Sequence, residues 1–194
     1  MILPRVSPRR MSAALALLLA LASTREPRAA TVDHVFIFCI DGVRASEGFD
    51  APGGGGLAPL LDGLAPEGSL LTFVENRALT TTLPAHQVYV TGNYADYDTM
   101  PPNGDRQYLH PRSPTLFEAY RHQTGADSDS CWVVSNTPHL FDTHRSLMPG
   151  YGEPFAAERE VSLTGGDSDP WVWDQIDAVL AEHTVDLMLV NLHE

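Results

Sequence analysis

The stretch Val32-Asp-His-Val-Phe-Ile-Phe-Cys-Ile40, followed at once by Asp41-Gly42, decides how the rest of the chain is read. It is a short apolar run rich in β-branched and aromatic residues that stops at a turn-forming pair, which predicts a buried strand ending at Asp41. Runs of the same kind recur as Ser69-Leu-Leu-Thr-Phe-Val74, Cys131-Trp-Val-Val-Ser135 and Val185-Asp-Leu-Met-Leu-Val-Asn-Leu192. Helical patterns lie between them. Residues 57–65 carry apolar side chains at helical spacing, and Pro84 suits the first turn of a helix running towards Gly92. Ser113-Pro114 has the order of an N-cap and first turn for a helix reaching Arg121. Asp169-Pro170 opens another that reaches about Glu182, with Trp171, Ile176, Val179 and Leu180 on or near one face. Residues 93–112 and 137–164 read mostly as loops. Strands that alternate with helices, their apolar runs covered on both sides, predict an α/β layer with a largely parallel sheet. In open sheets of that kind ligands sit outside the carboxyl ends of the strands, so Asp41 and the end of Leu192 are expected on one rim.

Residues 1–30 are expected to be a secretory signal rather than part of the fold. Arg5, Arg9 and Arg10 precede the apolar stretch 13–22, and small and polar residues follow it. That stretch falls short of the roughly 20 residues needed to cross a hydrocarbon layer, so a secreted or periplasmic protein without a stable membrane anchor is expected. Residues 31–194 then form one domain or part of one. The chain has no Lys and a formal charge of −13; setting aside residues 1–30, which hold five of its 12 Arg and one of its 25 acidic residues, leaves seven basic against 24 acidic side chains. That balance argues against nucleic acid as a partner, because nucleic acid is held by clustered cations. A small anionic substrate would need local positive charge, most simply from bound metal ions. Cys39 and Cys131 lie in apolar runs and read as buried thiols.

Two positions carry the candidate chemistry. Asp41, at the end of a strand, either caps the turn with Gly42 or ligates a hard or borderline cation. Its use as a haloacid-dehalogenase-like nucleophile wants a second acid two residues on, and Val43 stands there. Thr82, two residues before Pro84, either caps the helix or serves as an activated hydroxyl nucleophile beside a helix start that attracts anions. Thr80 and Thr81 compete for that role by position. Gly53-Gly-Gly-Gly56 lacks the Gly-Lys-Ser/Thr ending of a phosphate-binding P-loop. His110, His139, His144 and His183 show no metal-binding spacing and read mostly as surface or loop residues.

Phe38-Cys-Ile-Asp-Gly-Val-Arg44, taken with Thr82-Leu-Pro-Ala-His86 and Val90-Thr-Gly92, resembles the alkaline phosphatase superfamily, especially its nucleotide pyrophosphatase/phosphodiesterase and sulfatase branches. The resemblance covers residues 32–194. It implies an alkaline-phosphatase-like layered fold, with Asp41 and Thr82 as ligands of one zinc-like ion, Thr82 as nucleophile, and two zinc ions in a complete site. It also places Asn103 at the distance of a residue that donates to a phosphate oxygen, against which Pro101-Pro-Asn-Gly104 reads more simply as a plain turn. His86 would be structural support. Sulfatases carry a modifiable Cys or Ser where Thr82 stands, which disfavours an ordinary sulfatase. Relatives continue past a strand like 186–194 into an Asp-x-x-Gly-His ligand motif, so the resemblance implies a fold incomplete at its C-terminus. Four functions are therefore in competition: a metal-dependent hydrolase of phosphate esters, a truncated non-catalytic fragment of such an enzyme, a sulfatase-like hydrolase, and an exported binding protein that recognises ligands through its Gly- and Pro-rich loops.

Overall fold

A computed structural model describes residues 32–43, 67–69, 81–94, 110–164 and 167–193. The expected helix at 57–65, most of the expected strand at 69–74, and Asn103 lie outside the described residues. Every described strand and helix belongs to one compact unit, His34–Glu194.

Among the described residues four strands form an all-parallel sheet: β1 (Val35–Ile40), β2 (Cys131–Ser135), β3 (Glu158–Val161) and β4 (Leu187–Leu192), in the spatial order β1-β4-β2-β3. The two central strands are compact apolar runs with one polar residue each, Ser135 and Asn191, and every residue in them is buried. That is what a strand covered on both faces requires. Three helices supply the cover: α1 (Thr82–Thr91), α2 (Leu116–Thr124) and α3 (Asp169–Glu182). Cys131, Val133, Leu187 and Leu189 share one face of the sheet and pack with Val90 of α1 and Phe117 of α2. Trp132, Val134, Met188, Val190 and Leu192 share the opposite face and pack with Val172, Ile176 and Val179 of α3. The result is a mixed α/β arrangement with helices on both faces of a parallel sheet, consistent with the period-2 alternation of the strands and the 3.6 period of the helices.

Several boundaries differ from the sequence reading, each for a physical reason. β1 is an edge strand among the described residues, so Phe36, Phe38 and Ile40 are exposed rather than buried, with the Phe38 ring stacked on Trp173 of α3 at 5.7 Å between centroids. The buried face of α3 runs through Val172, Ile176 and Val179, spaced four and three residues apart, and leaves Leu180 exposed. β3 arises inside a segment expected to be loop: Glu-Arg-Glu-Val has no apolar run, and its partly exposed pattern is that of a charged edge strand paired on one side with β2.

The N-cap of α2 is Thr115, not Ser113, because Glu118 completes a capping box. The Thr115 hydroxyl accepts from the Glu118 N–H at 3.2 Å, and the Glu118 carboxylate accepts from the Thr115 N–H at 2.6 Å. The other oxygen of that fully buried carboxylate accepts from the Ser146 N–H at 3.0 Å, the Ser146 hydroxyl at 2.9 Å and the Gly152 N–H at 2.6 Å. One side chain therefore ties the start of α2 to the loop that leads into β3. Glu118→Ala leaves these donors buried without an acceptor at about 1–3 kcal/mol each, so a loss of about 3 kcal/mol or more is expected in urea unfolding. A loss under about 1 kcal/mol would contradict this role.

Candidate active site

β1 and β4 run in register from Val35 opposite Leu187 to Ile40 opposite Leu192, and the Asp41 N–H continues the ladder to the Leu192 carbonyl at 3.0 Å. Gly42 then turns the chain away with φ of 76°, a conformation that suits glycine. Asp41 is thus delivered to the carboxyl rim with its side chain about half exposed, and the His193 ring, one residue beyond β4, comes within 3.7 Å of its carboxylate. Asp169 fixes that exit: its carboxylate accepts from the His193 N–H at 2.9 Å and from the Asn136 amide at 3.1 Å, while the same amide donates to the His193 carbonyl at 3.1 Å.

α1 starts beside this rim. Thr81 is the extended N-cap and makes no side-chain cap bond, so Thr82 is the first helical residue rather than a cap. The Thr81 hydroxyl is buried without a hydrogen-bond partner among the described residues. An uncapped helix start favours negative charge. Asp41, Thr81 and Thr82 line one cleft of about 670 Å³ together with Ile37, Cys39, Ala85, His86, Tyr89 and Asn191. The structure therefore brings together the two residues that the sequence singled out, 41 positions apart in the chain.

His86, one turn after Thr82, is 6% exposed. Its Nδ1 lies 2.7 Å from the Thr82 carbonyl, its Nε2 lies 3.3 Å from the Asn191 amide nitrogen, and its ring meets Tyr89 edge-on at 5.7 Å. Burial pulls its pKa below the usual histidine value, opposed by the Thr82 carbonyl bond and the Asp41 charge, so the ring is neutral at neutral pH. Burial, and then the Asp41 charge, push the Cys39 thiol up, which disfavours its thiolate form.

Asp41 presents carboxylate oxygens of the kind that hard and borderline cations accept, and Thr82 belongs to the same cleft; a four-coordinate zinc would need further ligands. Among the described residues no group of three or more His, Cys, Asp and Glu side chains converges on a common point. No protein-family model matches the chain, and neither a curated protein nor a solved structure does. Among the described residues no helix is long and apolar enough to cross a membrane.

A second polar cluster, not anticipated from the histidine spacing, borders β3. His144, 4% exposed, meets the Arg159 guanidinium at 2.8 Å through Nδ1 and again through Nε2, and that guanidinium lies 3.8 Å from the centre of the Phe141 ring. Burial, then the charges of Arg159, His110 and Arg145, push the His144 pKa down to about 3. The unfolded chain binds this proton as pH falls below the ordinary value of 6.5, whereas the folded chain refuses it until about pH 3. Its contribution to stability is therefore complete above that upper value and is lost on acidification through the window, at about 1.4 kcal/mol per pH unit where steepest. An NMR titration should show His144 carbon-bound protons without an inflection between about pH 5 and 8; a midpoint near the ordinary histidine value would contradict its burial against Arg159.

Proposed function

We propose that this protein is an exported, metal-dependent hydrolase of phosphate esters, of the phosphodiesterase or phosphatase type, built on an alkaline-phosphatase-like fold with Thr82 as nucleophile. The observation that carries this reading is that Asp41, ending β1, and Thr82, opening α1, line the same cleft beside a helix start without a side-chain cap. The likeness of Phe38-Cys-Ile-Asp-Gly-Val-Arg44 and Thr82-Leu-Pro-Ala-His86 to the alkaline phosphatase superfamily supports it independently.

In this reading the ester's phosphoryl group lies against the first turn of α1, where backbone N–H groups and the helix dipole favour its charge. Thr82 Oγ1 attacks phosphorus in line and releases its proton to water. The bond from phosphorus to the organic oxygen breaks, and that oxygen leaves with the electron pair and takes a proton. Water then cleaves the phosphothreonine, restoring the hydroxyl and releasing phosphate from a monoester or a phosphomonoester from a diester. Asp41 and Thr82 would hold a divalent cation, one of two zinc ions in a complete site, which when bound supplies Lewis acidity and the positive charge that an acidic, Lys-free chain lacks. Asn103 is proposed as a donor to a phosphate oxygen.

The full-length protein with added zinc should hydrolyse 4-nitrophenyl phosphate or bis(4-nitrophenyl) phosphate. Thr82→Ala and Asp41→Asn should each lower kcat/KM by about a thousandfold or more without moving the melting temperature. Turnover that survives both substitutions unchanged, or no turnover of either ester by the parent protein, would refute the assignment.

A further inference from the structure

The polar contacts behind Thr82 can be followed atom by atom, and their direction is set by the orientation of the Asn191 side chain, its oxygen towards Ser135 and its amide nitrogen towards His86. The Thr137 backbone N–H can only donate, and it lies 3.0 Å from the Ser135 hydroxyl, which therefore accepts. The hydroxyl's own proton goes to the Asn191 side-chain oxygen at 3.2 Å. With that oxygen engaged, the Asn191 amide nitrogen faces His86 Nε2 at 3.3 Å and donates to it. A ring nitrogen that accepts carries no proton, so the proton of the neutral imidazole is on Nδ1, where it is donated to the Thr82 carbonyl at 2.7 Å. Ser135 and Asn191 are opposite one another in the β2–β4 register and are fully buried. An amide in the middle of a strand otherwise made of Leu, Met and Val is costly unless both of its ends are paired.

We infer that Asn191 and Ser135 are positioning residues for the first turn of α1: they hold His86 as its Nδ1–H tautomer, and through it they fix the carbonyl, and so the placement, of Thr82. The consequence for hydrolysis rests on Thr82 being the nucleophile; the tautomer does not. Packing alone makes no demand on which ring nitrogen carries the proton, so the tautomer separates this role from a merely structural one.

The test is long-range proton–nitrogen NMR on the ¹⁵N-labelled full-length protein, alongside hydrolysis of 4-nitrophenyl phosphate esters with added zinc. In the parent, His86 should show a protonated Nδ1 and a bare Nε2. Asn191→Asp replaces the donor by an acceptor of the same size, so Nε2 should gain the proton. Ser135→Ala, a small change that keeps the test open if Asn191 variants fail to fold, frees the amide to turn over, and His86 should then show both tautomers. In the assay each variant should lose about tenfold or more in kcat with KM within about twofold of the parent. A parent His86 protonated on Nε2, or a tautomer that no substitution alters, would overturn the proposal. So would Asn191→Asp or Ser135→Ala hydrolysing as fast as the parent while Thr82→Ala does not. A tautomer switch in a protein that hydrolyses no ester would uphold the positioning of Thr82 and refute the hydrolase reading alone.

Discussion

The parallel pairing of β1 with β4 is the constraint on which the site depends. Register in a parallel pair fixes which side chains face the same way, and a slip of one residue would turn Asp41 to the other face of the sheet. The observed register sets Cys39 opposite Asn191 and Ile40 opposite Leu192, so the residue after β1 and the residue after β4 leave the rim side by side. Apolar packing favours that register on one face, where Ile37 and Cys39 of β1 join Leu187 and Leu189 of β4 against Val90 and Phe117. The geometry of a handful of polar atoms at the rim is thus set by the burial of a much larger number of apolar ones behind it.

The polar groups near the cleft fall into two kinds. Asn191, Ser135 and His86 are buried and paired, and they have little freedom to move. Asp41 is half exposed and Thr82 opens a helix with no side-chain cap. A fixed interior supporting a half-exposed carboxylate and a threonine at the cleft wall is the arrangement expected where a ligand has to be met by oriented groups rather than by groups that reorganise on binding. The neutral state of His86 adds to this, because a charged ring there would lose its acceptor role towards Asn191. At the start of α2 the same rule holds for Glu118, whose buried carboxylate accepts from Thr115, Ser146 and Gly152.

How much of this was legible in the sequence depended on whether the signal was local. The core strands could be read because Cys131-Trp-Val-Val-Ser135 and Leu187-Met-Leu-Val-Asn-Leu192 are compact apolar runs, and α3 because Asp169-Pro170 is a clear helix opening. The shared rim of Asp41 and Leu192 followed from expecting a parallel sheet. The exposure of β1 could not be read, since whether an apolar strand is central or at an edge is decided by its neighbours in space. β3 was hidden because an edge strand such as Glu-Arg-Glu-Val is selected for charge rather than hydrophobicity. Thr115 was readable in principle from the spacing Thr-x-x-Glu, a capping box that the preceding Ser113-Pro114 obscured. Asn191 and Ser135 carried a weaker signal: each is a polar residue inside an apolar strand, a hint that something buried must pair with it, though not with what. The partner roles of His193 at Asp41 and of Arg159 at His144 depend on contacts between distant parts of the chain and left no mark in spacing.

The central claim is that an aspartate ending β1 and a threonine opening α1 are close enough to grip one cation, and it is tested most directly by a crystal structure of the full-length protein grown with zinc, using anomalous scattering to locate the metal. The account predicts a zinc peak about 2.0–2.2 Å from both an Asp41 carboxylate oxygen and Thr82 Oγ1. A map in which those two oxygens stand more than about 5 Å apart, or in which zinc binds elsewhere and leaves both untouched, would contradict it.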